Sequence, residues 1–134
     1  MSKLIKQQGG NFMYLTVTPS AAAKIKKAQD QTANQVLLLD FDDGVGAFSR
    51  VGSCTLASVF RVLLADDRLD LHDYDQDLAS NIGNFKIKGY SKMYMDQQMK
   101  LDLNPKNQML RLTGANAGEL TAALMLEAIS PESV

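Results

Sequence analysis

The chain has 134 residues, 46% hydrophobic and 22% charged, with a formal net charge of −1. That length suits one domain with its own core, and the near-neutral balance excludes a protein that works by electrostatic attraction to nucleic acid or an anionic membrane. A single cysteine, Cys54, and a single histidine, His72, exclude an internal disulfide and a structural zinc site made by Cys54 alone.

Residues 1–12 read as a flexible tail, because "KQQGGNF" is polar and has little to bury. The lysines of "MSKLIKQQGG" are followed by no apolar run, so no secretory signal is expected. No segment approaches the roughly 18 apolar residues of a membrane span. A cytoplasmic protein with a reduced thiol is therefore the expectation. Met13 opens the patterned part and is a second candidate start. A single domain over 13–130 and a C-terminal tail over 131–134 follow.

"MYLTVT" alternates and predicts a short strand. "TPSAAAKIKKAQDQ" predicts a helix, with Thr18 as N-cap and Pro19 at the first helical position, where its missing N–H costs nothing. Ala21, Ile25 and Ala28 fall on one face, and residues 30–34 end the helix. "QVLLLDF" is almost wholly apolar and fits a buried strand. A Gly-rich loop follows, and "CTLASVFRVLLAD" predicts a longer strand. The acidic stretch "DDRLDLHDYDQD", continuing through "LASN", reads as a solvated connection. "NFKIKGY" alternates again. In "GYSKMYMDQQM" the tyrosines and methionines are expected to alternate between core and solvent along a strand.

"MKLDL" and "QMLRLTG" alternate on either side of "NPKN", whose proline suits the second position of a turn; together they predict a β-hairpin. The last segment supports two readings. Asn116 with Glu119 has the form of a helix capping box, whereas Leu120, Ala122, Leu124 and Leu126 keep the period of a strand. Fold class is α+β, mainly β, with one N-terminal helix.

The loop "DFDDGVGAFSRVGSC" is the natural place to seek a bound group. It lacks the Gly-Lys-Ser/Thr ending of a phosphate loop, and Ser49 stands where a dinucleotide fingerprint needs its third glycine. Turn geometry is the simpler use for Gly44, Gly46 and Gly52. Asp73, Asp75 and Asp77 have the spacing of a calcium loop's first ligands. Leu78 and Asn84 then replace its glycine and its bidentate glutamate. His72 reads as a surface histidine whose pKa the nearby aspartates raise. Cys54 reads as a small half-buried thiol, with Arg50 as its sole nearby cation. No constellation of base, nucleophile and oxyanion donors stands out, so no enzyme is expected.

The order of features resembles the HesB-like family, the A-type (IscA-like) iron–sulfur cluster carriers. Thr18, Ala21, Ala22 and Ile25 fit its "T-x-x-A-A-x-x-I" helix, "VLLLDFDDGVGAF" fits the strand and loop that follow, and "MKLDLNPKNQMLRL" is similar to its later strand. The likeness is strongest to a small Firmicute-type subgroup and spans about residues 13–129. It implies a two-sheet sandwich or flattened barrel, and it favours a strand for the last segment. It also implies cysteine ligands that this chain lacks. Val45 and Ala47 occupy the mid-chain places, and "TGANAGELTAALMLE" has no cysteine. Cys54, several residues further on, is the remaining candidate cofactor ligand, and no metal-ligand set can be named. Clusters are held by thiolates, usually about four, and a homodimer would bring two from Cys54. The resemblance implies an accessory or degenerate member of the iron–sulfur assembly family, with assembly proteins as partners and a homodimer possible. The alternative is a non-metal interaction module that keeps the fold.

Overall fold

The run "QVLLLDFD" becomes a strand because both its faces are covered. The computed structural model describes residues 12–29, 34–43, 48 and 59–133. Strand β1 (Tyr14–Val17) leads into helix α1 (Pro19–Gln29), followed by β2 (Gln35–Asp42), β3 (Val59–Asp66), β4 (Gln76–Ser80) and β5 (Phe85–Ile87). A 3-10 helix (Gly89–Tyr94) precedes β6 (Gln98–Leu103), β7 (Leu110–Gly114) and β8 (Gly118–Ile129), and a short 3-10 turn spans Pro131–Ser133. No helix among the described residues is long and apolar enough to cross a membrane.

The strands close into a barrel in the order β1-β4-β5-β2-β3-β8-β7-β6, and β6 returns to β1. Closure removes the unpaired edges that an open sheet would present. β1 lies parallel to both its neighbours, and β3 runs parallel to β8. β2 and β3 pair antiparallel along their whole length, from Gln35↔Asp66 to Asp42↔Val59. Leu37, Leu39 and Phe41 point to the main core with Val62, Leu64, Phe85, Leu101 and Leu112. Successive strand residues face opposite ways, so Leu38 and Leu63 lie on the outer face. There they form a second, smaller core with Phe48, Tyr74 and Ile129.

Thr18 caps α1 as expected, its Oγ1 accepting from the Ala21 N–H at 3.4 Å while donating to Asp102 at 2.9 Å. Ala21 and Ile25 enter the main core. The β6–β7 hairpin also follows the alternation, with Leu101 opposite Leu112. Its connection is longer than "NPKN" alone: Leu103 pairs with Leu110, and Gln108 takes a positive φ of 62° to complete the turn. The last segment is a strand. The Asn116–Glu119 pattern that mimics a helix cap is spoken for elsewhere. The Asn116 N–H donates to Asp96 at 2.7 Å, and Glu119 accepts from Arg111 at 3.2 Å.

Two expectations need correction. Gln76–Ser80 is not a solvated connection but strand β4, antiparallel to β5. Its alternation is hard to see because Leu78 is its one fully buried side chain and Asp77 reaches outward to Lys86 at 2.9 Å. Residues 89–94 form a 3-10 helix and not a strand. Buried Ser91 donates through both its N–H and its hydroxyl to the Lys88 carbonyl, at 2.9 and 2.6 Å, which closes a tight turn.

Candidate functional site

Between Asp42, the last residue of β2, and Val59, the first of β3, lies the segment singled out in the sequence. Of its residues, Asp43 and Phe48 are described; Val45, Ala47 and Cys54 lie outside the described residues, as do Gly44, Gly46, Ser49, Arg50 and Gly52. The geometry on view is the root of this loop, and it is built from buried charge.

Asp40 and Asp42 alternate onto the outer face of β2, at 0% and 1% exposure. The antiparallel register sets Arg61 of β3 directly opposite Asp40. Arg61 is 2% exposed. Its Nε donates to Asp40 Oδ2 at 3.0 Å, and its Nη2 lies 2.9 Å from the same oxygen and 3.7 Å from Asp42 Oδ2. Nη2 also donates to the Phe48 carbonyl, so the guanidinium holds the loop at that residue. On the far side of the guanidinium, Nη1 stands 3.5 Å from Glu127 of β8.

Asp40 Oδ1 is used as well. The Tyr74 hydroxyl donates to it at 2.7 Å, and Lys88 Nζ lies 3.2 Å away. Lys88 Nζ also sits 5.6 Å from the centre of the Tyr74 ring, a cation–π distance. Burial, then the adjacent Asp40 charge, pushes the Tyr74 phenol well above its ordinary pKa, so it stays a hydrogen-bond donor at neutral pH. Phe48 stacks on Tyr74 with ring centres 6.1 Å apart. Two carboxylates and two cations thus neutralise one another in a dry setting, with Glu127 at the edge. This arrangement anchors a loop. It offers no unclaimed base or nucleophile, and among the described residues no three His, Cys, Asp or Glu side chains are grouped to hold a metal.

His72 is exposed between Asp70 and Asp73, at 3.0 and 3.2 Å. The hydrogen bond to Asp70, then that residue's charge, raises its pKa. The calcium-like aspartates do not converge. Asp73 faces His72, Asp75 accepts from the Gly89 N–H at 2.8 Å, and Asp77 pairs with Lys86. The sequence reading missed Asp40, Arg61 and Lys88. A signal was present, since each of two consecutive apolar runs, "LLLDF" and "VFRVLL", carries a charge of opposite sign in its middle.

A second polar knot sits opposite β7. Asp96 accepts from the N–H groups of Gln97, Asn116 and Ala117 at 2.7–2.8 Å and from the Asn116 side chain at 3.2 Å. These bonds, those of Ala117 and Asn116 foremost, hold its carboxyl below the usual range. Gly114 makes this approach possible, because a Cβ there would stand 2.5 Å from Asp96 Oδ2.

The profile of the family described as iron-sulphur cluster biosynthesis matches residues 13–126. The chain belongs to that family. Among solved structures, a candidate Fe-S biosynthesis protein from Lactobacillus salivarius, described as having a novel protein fold, is 52% identical. The alignment covers 88% of this chain and 99% of that one, with a TM-score of 0.78. A candidate Fe-S biosynthesis protein from Lactobacillus acidophilus shares the fold at 20% identity, covering 87% of this chain and 90% of that one, with a TM-score of 0.66. A search of curated proteins found no match. The HesB-like resemblance read from Thr18, Ala21, Ala22, Ile25 and the β6–β7 segment is thus upheld over nearly the whole domain. For this member of the iron–sulphur family, the loop between β2 and β3 stands where the resemblance places the mid-chain ligands.

Proposed function

We propose that this protein is an accessory member of the iron–sulfur cluster biosynthesis family, one that binds or scaffolds assembly proteins without carrying a cluster on the family's usual thiolates. The observation that carries the reading is the donor set. The chain has one cysteine, and Val45 and Ala47 fill the mid-chain ligand places. About four thiolates hold a typical cluster, and two copies of this chain would bring two. Carboxylates at the loop root do not make up the difference: Asp40 is already shared by Arg61, Tyr74 and Lys88. Two buried cations beside it would also oppose a metal ion. The residues present do not fit a cluster. The proposed setting is the cytoplasm, where Cys54 stays reduced.

Anaerobic reconstitution with iron and sulfide, read by visible absorption, tests this on the full chain. The expected protein stays colourless, and metal analysis after native purification finds iron at background. A stable absorption band that Cys54→Ser abolishes would overturn the reading and make Cys54 a ligand.

A further inference from the structure

Three of the five large apolar or aromatic side chains exposed among the described residues fall within the 3-10 helix Gly89–Tyr94. Tyr90 is 50% exposed, Met93 75% and Tyr94 44%. Side chains three apart eclipse in such a helix, so Tyr90 and Met93 share one face. Lys92 falls on another, lining a depression with Met13 and Asp96.

The exposed rings are held in place. Tyr94 stacks on Phe41, at the end of β2, with centres 4.2 Å apart and planes 9° from parallel. The Tyr90 hydroxyl donates to Asp43 at 3.0 Å, and buried Ser91 pins the turn beneath them. A fixed aromatic surface loses little entropy when something binds it. Its border is acidic. Asp43 touches Tyr90, and Asp75 holds the Gly89 N–H at 2.8 Å. Burial and the Asp43 hydrogen bond push the Tyr90 phenol up to about 12.

We infer that Tyr90, Met93 and Tyr94, bordered by Asp43 and Asp75, form a docking surface for a protein segment that presents an Arg or Lys beside an apolar side chain. The rings offer π-faces to the cation, the carboxylates steer it and reject acidic partners, and the flexible Met93 side chain fits itself to the apolar neighbour. Exposed, preordered tyrosines are also typical anchors of interfaces. The inference rests on the scaffold reading above and gives it a surface and a partner chemistry.

Titration of the full chain with a labelled peptide alternating Arg and Leu, followed by fluorescence anisotropy and backbone amide NMR, tests it. Saturable binding is expected, with shifts centred on residues 89–95. Met93→Ser and Tyr90→Ser should each weaken binding about fivefold or more, and Asp75→Asn, which removes the charge and keeps an oxygen for the Gly89 N–H, should reduce the salt dependence. Met93 is mostly solvated, so Met93→Ser should keep the wild-type thermal midpoint and report on binding alone. Equal affinity in Met93→Ser, or equal binding of a Glu–Leu peptide, overturns the inference. So does a concentration-dependent dimer in ultracentrifugation that Met93→Ser abolishes, because the patch would then serve a second copy of the chain. The two proposals fail separately: a coloured reconstitution removes the accessory reading, and absent peptide binding removes the docking surface.

Discussion

Replacing Arg61 by Met removes the cation that faces Asp40 and Asp42 while keeping most of the side chain's length. The structure sets the size of the effect. Asp40 is fully buried, and its Oδ2 would lose the contacts at 2.9 and 3.0 Å, leaving Lys88 and Tyr74 on Oδ1. The Phe48 carbonyl would lose its donor. Breaking a buried ion pair from one side typically costs about 3–5 kcal/mol, which for a chain of this size lowers the melting midpoint by roughly 10–20 °C. Urea unfolding of the wild type, Arg61→Met, Asp40→Leu and the double variant measures the coupling directly. The double variant leaves no uncompensated charge between these two positions. It should therefore recover at least half of what Arg61→Met loses. A cost below about 1 kcal/mol for Arg61→Met, in the range of exposed pairs, would refute the account of the loop root. A double variant that simply sums the two single losses would refute it equally.

Gly114→Ala should destabilise by about 1–3 kcal/mol, as overpacking does. The new Cβ meets Asp96 Oδ2 at 2.5 Å, and four hydrogen bonds keep that carboxylate from moving aside; thermal unfolding measures the loss. Stability should also fall in acid. Backbone N–H donors, those of Ala117 and Asn116 to Asp96 and that of Leu103 to Asp102, hold both carboxyls below the ordinary carboxylate range, and Arg68 holds Asp66 down to about 2 through its side-chain and backbone N–H groups. A depressed carboxyl contributes stability above its unfolded pKa and loses it as pH drops through the folded one. The decline should thus set in near pH 4 and continue towards pH 2. Asp96→Asn should make that slope shallower in urea titrations across this range, and an unchanged slope would remove Asp96 from the acid response. His72 works in the opposite sense: its raised pKa contributes below pH 6.5, and that contribution fades as pH climbs through the folded value.

Where a decision is made within a few residues, it was readable in the sequence. Thr18–Pro19 starts α1, and strict alternation draws the β6–β7 hairpin, because caps and cross-strand neighbours sit close along the chain. β4 escaped notice because a single buried side chain, Leu78, carries its inward face. The 3-10 helix escaped because Ser91, a polar residue, is the one that is buried. Asn116 and Glu119 copied a helix cap, and only the distant Asp96 and the register with Arg111 show why no helix forms. The loop root needed pairing information of the same kind. Asp40 and Arg61 are both visible as charges inside apolar runs, but their meeting depends on the β2–β3 register, and Lys88 joins them from beyond two further strands. Family membership was legible from soft motifs spread over the chain, since the barrel imposes similar residues at similar intervals.

The parallel seating of β1 has a consequence for how the chain folds. Tyr14 must find Gln98 on one side and Ala79 on the other, so the first strand cannot be placed until most of the chain is already organised. The β6–β7–β8 meander, in contrast, closes through short connections. Pairings between distant parts of the chain pay loop-closure entropy before they are rewarded, and they slow folding. The meander is then the natural nucleus and β1 the last stave to enter. Conservative substitutions such as Leu112→Ala should slow folding, whereas Leu15→Ala should chiefly hasten unfolding. Chevron kinetics giving the reverse order would place the nucleus elsewhere. Until β1 arrives, the outer edges of β4 and β6 stand open. The completed ring is therefore what conceals from other chains the two strands most able to pair with them.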